Sequence, residues 1–383
     1  MRLSPLLALQ GVFFMNAVGL ALWLPRIPDV KEILGLDVWT IALCLMGAPV
    51  GTMIGFLFAA RIARGLGLKK TCLVSGAAMS LALILPAVAW SAMLLFLALV
   101  VVGFSIAIIE VAMNSKANAV QHDLERRIMS RCHGMWSFGV MFAGLLAGLF
   151  AQSGVTPLVQ QMIMEPITAV FAILFAMALP DDTARDAVDE GGFALPSGPL
   201  LILCLLPIAA LLIEGAMLDW SVLFLRSDVG MSAFEASAIF SIFAMAMGFG
   251  RLSGDWLTDR VGVPRMILVS GLSMAVGIFL FSFSQGLGIA ALAAILAGIG
   301  AANVYPLAIS IAPDVKGGTP EGNVAAIALT AFTAFLIGPP LIGFVGDRFG
   351  LSIGFMVLTP LAFIPALFVL TGWISRITGD ENG

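Results

Sequence analysis

Glu110, Asn114 and Asn118 lie in the stretch "IEVAMNSKAN" (109–118) at intervals of four residues, which sets three polar side chains on one face of a helix. From Met93 onward the chain carries no other charge before Glu110. A carboxylate in such a place can take up a proton and release it again. A second acid, Glu214, opens "EGAMLDWS" (214–221), which also holds Asp219 and Trp220. Asn303 and Tyr305 stand just before Pro306, which has no N–H and so loosens a helix. Asn16 and Trp23 sit in the first apolar run, and Trp136 follows His133 in "RCHGMWSFG" (131–139). Asparagines bind polar solutes and tryptophan faces stack on rings. Plainer roles exist for each: an ion pair to a neighbouring helix for Glu110 or Glu214, a pairing of Asp219 with Arg226 or Arg26, interfacial anchoring for the tryptophans, helix packing for Asn303, and a structural hydrogen bond for His133.

Other chemistries lack their parts. There is no phosphate-binding Walker loop, no metal-spaced His/Cys set and no nucleophile elbow with partners, so neither an enzyme nor a cofactor or metal site is expected. The cysteines at 44, 72, 132 and 204 have no redox or ligand spacing and read as packing residues.

The elements that must position these groups follow from composition. Of 383 residues 60% are hydrophobic and 11% charged, and the mean hydropathy is +1.07. Soluble domains carry about 25% charged residues, so the expected surroundings are a lipid bilayer, with no nucleic-acid partner. A spanning helix needs roughly 20 apolar residues. Runs of that kind fall near 6–27, 38–60, 70–90, 92–115, 130–152, 158–179, 199–224, 235–257, 265–284, 287–312, 323–345 and 352–374. The first run continues to Trp23 with no small-x-small cleavage site and reads as a retained helix. With both termini inside a bacterial inner membrane, all of the 19 basic residues except Arg26, Lys31, Arg226 and Arg348 fall at cytoplasmic ends, as the positive-inside rule requires.

The acidic, Gly/Pro-punctuated stretch 180–198 reads as a cytoplasmic linker between an N-terminal bundle, 1–179, and a C-terminal bundle, 199–383. Internal similarity supports the division. "GTMIGFLFAARIARGLGLKKTCLVSG" (51–76) and "GRLSGDWLTDRVGVPRMILVSG" (250–271) share a GxxxG, a basic turn and a closing "LVSG". Gly51/Gly55, Gly250/Gly254 and Gly144/Gly148 each offer a small-residue face for close helix packing. Parallel six-helix repeats suit a transporter whose halves rock about a site at mid-membrane.

"GDWLTDRVGVPR" (254–265) resembles the loop motif G-x-x-x-D-R-x-G-x-x-R of the major facilitator superfamily, with Gly254, Asp255, Asp259, Arg260, Gly262 and Arg265. The resemblance implies a gating role for that turn. In the first half Ala60 stands where the acid is expected, and about four residues are added before Lys69 and Lys70. "GFSIAIIEVAMNSKANAV" with "RCHGMWSFG" is similar to the fucose-permease-related branch, whose E-x-x-x-N falls on Glu110 and Asn114. That branch implies proton-coupled uptake through the helix 4 glutamate and an aspartate in helix 1. Here helix 1 has no carboxylate before Asp29, so coupling would run through Glu110 and Glu214. Helices 1, 4, 7 and 10 line the cavity in this superfamily, which makes Asn16, Trp23, Asn114, Asn118, Asp219, Trp220, Asn303 and Tyr305 expected substrate contacts; Trp136, in the polar start of helix 5 that the branch resemblance implies, joins them as a ring-stacking face. The Gly-Pro signature of proton-drug antiporters is missing from "SFGVMFAGLLAGLF" (137–150).

The expected architecture is an all-α membrane protein of twelve transmembrane helices in two pseudo-symmetric six-helix bundles. The expected function is a monomeric secondary transporter of a small polar solute by alternating access, with protons as the coupling ion in symport. Export by proton antiport, or a transporter fold serving as a sensor or scaffold, would use the same parts.

Overall fold

The computed structural model describes residues 3–126, 128–183, 198–315 and 320–374. Most of the linker stretch, and the basic residues Arg2, Arg127, Arg185, Lys316 and Arg376, lie outside the described residues. Among the described residues, eleven helices are long and apolar enough to cross a membrane: α1 (Pro5–Ile33), α2 (Val38–Leu66), α3 (Leu68–Val88), α4 (Ala92–Asp123), α5 (Met129–Gln152), α6 (Pro157–Met177), α7 (Leu200–Ser227), α8 (Ala233–Val261), α9 (Val263–Ser282), α10 (Leu287–Ile311) and α12 (Leu351–Leu370). The 30-residue helix α11 (Pro320–Phe349) stands between α10 and α12. Two compact units result. Unit 1 holds α1–α6 and α8 as far as Ala244; unit 2 holds α7, α8 from Met245, and α9–α12.

Helix starts are set by local chemistry. Ser4, Asp37, Ser91 and Thr156 each accept a hydrogen bond from a backbone N–H in the first turn of α1, α2, α4 and α6, satisfying donors that have no partner within the helix. Pro5 and Pro157 occupy first-turn positions, where a missing N–H costs nothing. Three joints consist of one glycine in a left-handed conformation: Gly67 (φ 84°) between α2 and α3, Gly262 (φ 85°) between α8 and α9, and Gly350 (φ 88°) between α11 and α12. A side chain is strained at that φ, so glycine permits a direct reversal from one span into the next. Gly67 and Gly262 are matching positions of the sequence repeat.

Packing follows the repeat too. A Cβ on Gly51 would run into the carbonyl of Val100, and one on Gly55 would meet Ala107, so α2 lies directly on α4. In unit 2, Gly250 faces Ala302 and Gly254 faces Asn303, so α8 lies on α10 in the same manner. Gly144 and Gly148 of α5 pack against Ser241 and Ser237 of α8, within unit 1. All four cysteines are free and buried, in keeping with packing roles.

Candidate functional site

Unit 1 places Glu110 well inside the uninterrupted helix α4, half-buried. The i, i+4 spacing brings Asn114 over it: Asn114 Nδ2 donates to the Glu110 backbone carbonyl at 2.9 Å and to Glu110 Oε2 at 3.1 Å. The carboxylate therefore has an amide partner on its own helix. Asn118, one turn further on, is exposed.

Asn16 of α1 is buried, and its Oδ1 accepts a hydrogen bond from Trp136 Nε1 of α5 at 3.0 Å, while its Nδ2 lies 3.3 Å from Met79 Sδ of α3. A small cavity opens beside it, lined by Val12, Met15, Asn16, Cys72, Gly76, Ile109 and Ala172. Trp136 is half-buried, whereas Trp23 is fully enclosed. His133 stands edge-on to the ring of Phe13, 5.3 Å between centroids.

In unit 2, Glu214 of α7 is held by Arg251 of α8, whose Nη2 lies 3.1 Å from each carboxylate oxygen. Five residues along α7, Asp219 forms no hydrogen bond or ion pair with any described residue. It lines a crevice about one water molecule in size, with Trp220, Phe335 and Pro339 among the walls. Asn303 Nδ2 donates to the Gly250 carbonyl at 3.0 Å, tying α10 to α8, and Tyr305 packs on the cluster of Leu211, Leu212 and Ala334. Within the turn motif Gly254 faces α10, while Asp255, Asp259, Arg260 and Arg265 are exposed. The Arg260 guanidinium lies over the Trp256 ring at 4.0 Å. Gly262 makes the turn itself.

Sequence reasoning missed three polar assemblies. The first is a chain of buried groups in unit 1. Arg26, 2% exposed, donates to Asp29 Oδ2 (2.5 Å), Gln160 Oε1 (2.6 Å) and the Val155 carbonyl (2.6 Å). Gln160 then reaches the Leu22 carbonyl and Gln161, and Gln161 reaches the Leu83 carbonyl and Glu165 Oε1. Glu165 Oε2 has no hydrogen-bond partner among the described residues. The second is a clasp after α6. Asp182 accepts from the Lys69 backbone N–H and from Lys116 Nζ (3.0 Å), against Gly67, and Asp181 pairs with Lys69 Nζ at 2.8 Å. The hydrogen bond from the Lys69 side chain holds the exposed Asp181 carboxyl below its usual range. The third is Arg251 as the partner of Glu214. The glutamines and Glu165 in "QQMIMEP" were a legible signal, since amides and an acid rarely enter an apolar run without a partner.

Comparisons with known proteins extend the geometry. The Major Facilitator Superfamily profile matches residues 208–379. An uncharacterised MFS-type transporter of Yersinia pestis is 30% identical over 351 residues, covering 90% of this chain and 89% of that protein. The crystal structure of the nucleoside transporter NupG superimposes with a TM-score of 0.77 at 13% identity, covering 97% of this chain and 99% of that one. A crystal structure of the E. coli fucose:proton symporter FucP gives 0.64 at 15% identity, covering 96% and 98%.

Proposed function

Because the chain belongs to the major facilitator superfamily, we propose that this transporter moves a small polar solute by alternating access, in symport with protons. The observation that carries the reading is the Glu110–Asn114 pair: a carboxylate inside a span, half-buried, with a neutral amide donating to it from its own helix. A charge at the bilayer centre costs about 2.5–3.5 kcal/mol on insertion scales, so an acid retained there has a partner or a task. An amide partner tolerates both the charged and the protonated carboxyl, because it can donate to one and accept from the other. The contact between Asn114 and Glu110 thus survives proton uptake. At Glu214 the same event releases Arg251, which makes Glu214 a second coupling group whose protonation is read out as a broken ion pair.

Asn16 with Trp136, Asn114 and Asn118 in unit 1, and Asp219, Trp220, Asn303 and Tyr305 in unit 2, are the proposed solute contacts, with Trp23 beside the first set. The turn of Gly254, Asp255, Asp259, Arg260, Gly262 and Arg265 is the proposed gate. The likeness to a sugar:proton symporter and a nucleoside transporter supports a polar solute. The setting is a bacterial inner membrane with both termini cytoplasmic, and the working unit is one chain of two bundles. Reconstitution into vesicles holding a pH dye tests the reading: a transported solute added outside acidifies the lumen. Alkalinisation on solute addition would establish exchange instead, and solute binding with no proton or solute movement would establish a sensor.

A further inference from the structure

Two acids lie five residues apart on α7, and they differ in what completes them. Glu214 is neutralised by Arg251, but Asp219 has no hydrogen bond or ion pair among the described residues. Asp219 is half-buried inside a span, where a carboxylate is retained for a partner or a ligand that is positive or donating. Its surroundings narrow what that is. The crevice is bounded by Trp220 and Phe335, by Gly215 and Gly338, and by Pro339 of α11. The two glycines keep the walls low, since a Cβ on Gly215 would reach the Phe335 ring and one on Gly338 would reach Leu212.

Pro339 has no N–H, so the carbonyl of Phe335, four residues earlier, loses its helical donor at the crevice. Two residues that line the crevice therefore carry acceptors, the Asp219 carboxylate and the freed Phe335 carbonyl, and Trp220 and Phe335 supply aromatic rings. A lining residue gives an independent sign of incompleteness: Trp220 is 1% exposed, and its Nε1 has no acceptor among the described residues. An orphaned buried donor costs free energy unless a bound group completes it.

We propose that Asp219 and this crevice bind a protonated amino group, so that the solute carries a primary ammonium together with hydroxyl or other acceptor groups. An ammonium has three donors and no acceptor, which suits the carboxylate and the freed carbonyl. The aromatic side chains of Trp220 and Phe335 among the walls suit its positive charge. A neighbouring oxygen on the solute would accept from Trp220 Nε1. A bare metal cation meets the carboxylate equally well but gains little from apolar, aromatic walls. The inference rests on the transporter reading, since it names the chemical class of the solute.

The test uses the full-length protein in detergent and measures the thermal midpoint with matched solutes: glucosamine against glucose, ethanolamine against ethylene glycol, putrescine against 1,4-butanediol. A ligand that binds only the folded state raises the midpoint by mass action. At least one amine raises it saturably and by more than its hydroxyl twin. Asp219→Asn weakens that amine's apparent affinity about tenfold or more, the scale of one charge-assisted hydrogen bond. Asp219→Glu keeps the preference for the amine, which shows that the site is folded and the charge matters. Asp37→Asn, the same charge change outside the spans, leaves the preference intact.

The proposal is overturned if no amine exceeds its twin, if the preference survives Asp219→Asn, or if sodium chloride alone reproduces the shift with no further gain from the amine. A hydroxyl twin that stabilises the protein independently of Asp219 overturns this inference and leaves the transporter reading standing. An Asp219-dependent amine shift with no solute-driven proton movement in vesicles does the reverse.

Discussion

Arg251 Nη2 lies 3.1 Å from both carboxylate oxygens of Glu214, so α8 and α7 are joined by one shared ion pair in unit 2. Both side chains are largely buried, at 16% and 9% exposed. Removing one partner of such a pair leaves the other charge uncompensated, at a cost of about 3–5 kcal/mol, whereas removing both is far milder. Arg251→Gln and Glu214→Gln alone should each lower the thermal midpoint markedly, and the double substitution should recover much of the loss. Equal, additive losses in a double-mutant cycle would show that the pair contributes no coupling.

Asp182 completes a joint that the sequence leaves open. In the first half Ala60 replaces the acid of the loop motif, but Asp182, arriving after α6, accepts from the first turn of α3 and pairs with Lys116, whose side chain is 1% exposed. Asp182→Ala should destabilise the protein by about 3 kcal/mol, because it takes the carboxylate from a buried ammonium. Lys116→Met in the same background should restore part of that. Gly67→Ala should destabilise as well, through the Asp182 contact and the φ of 84°. Thermal unfolding of the three variants checks the set.

Arg26 organises the end of α1 by donating to a carboxylate, an amide oxygen and a backbone carbonyl at once. Arg26→Ala leaves all three acceptors without that donor and should cost about 3–5 kcal/mol. Arg26→Lys should recover little, because a lysine cannot reproduce the planar fork. Loss of folded protein on size-exclusion chromatography, or a large fall in thermal midpoint for both variants, is the expected result.

Asp37 gives a pH dependence outside the membrane. Hydrogen bonds from the Thr40 hydroxyl and then its backbone N–H hold the carboxyl below its usual value of 3.8. A carboxyl with a depressed folded pKa adds stability that is fully present above the unfolded value and is lost as pH falls through the folded one. The difference in midpoint between the parent and Asp37→Asn should be constant from neutral pH down to about 4 and shrink below that. A difference that grows on acidification would contradict the assignment.

Much of this architecture is legible in the chain because hydropathy and glycine punctuation act locally. The apolar runs, the GxxxG faces at Gly51/Gly55 and Gly250/Gly254 and the single-glycine joint at Gly262 need no knowledge of distant residues. Glu110 and Asn114 could be paired in advance for the same reason, being one turn apart. Partners drawn from remote sequence were not legible. Arg251 reads as one more basic residue at a helix end, Asp182 as part of an acidic linker and Gln160 as an isolated amide; only folding brings them to Glu214, Lys116 and Arg26. Asn303 looked like a solute contact but also ties α10 to α8, a bond that depends on how closely Gly250 and Gly254 let the two helices approach.

The central claim is that Glu110 carries the proton. In vesicles loaded with a pH dye, solute-driven acidification of the lumen by the parent protein and by Glu110→Gln measures this directly, with counterflow of labelled solute as the control for folding and binding. The account predicts that Glu110→Gln abolishes acidification and concentrative uptake while solute counterflow persists. Acidification and accumulation at the parent rate in Glu110→Gln would contradict it.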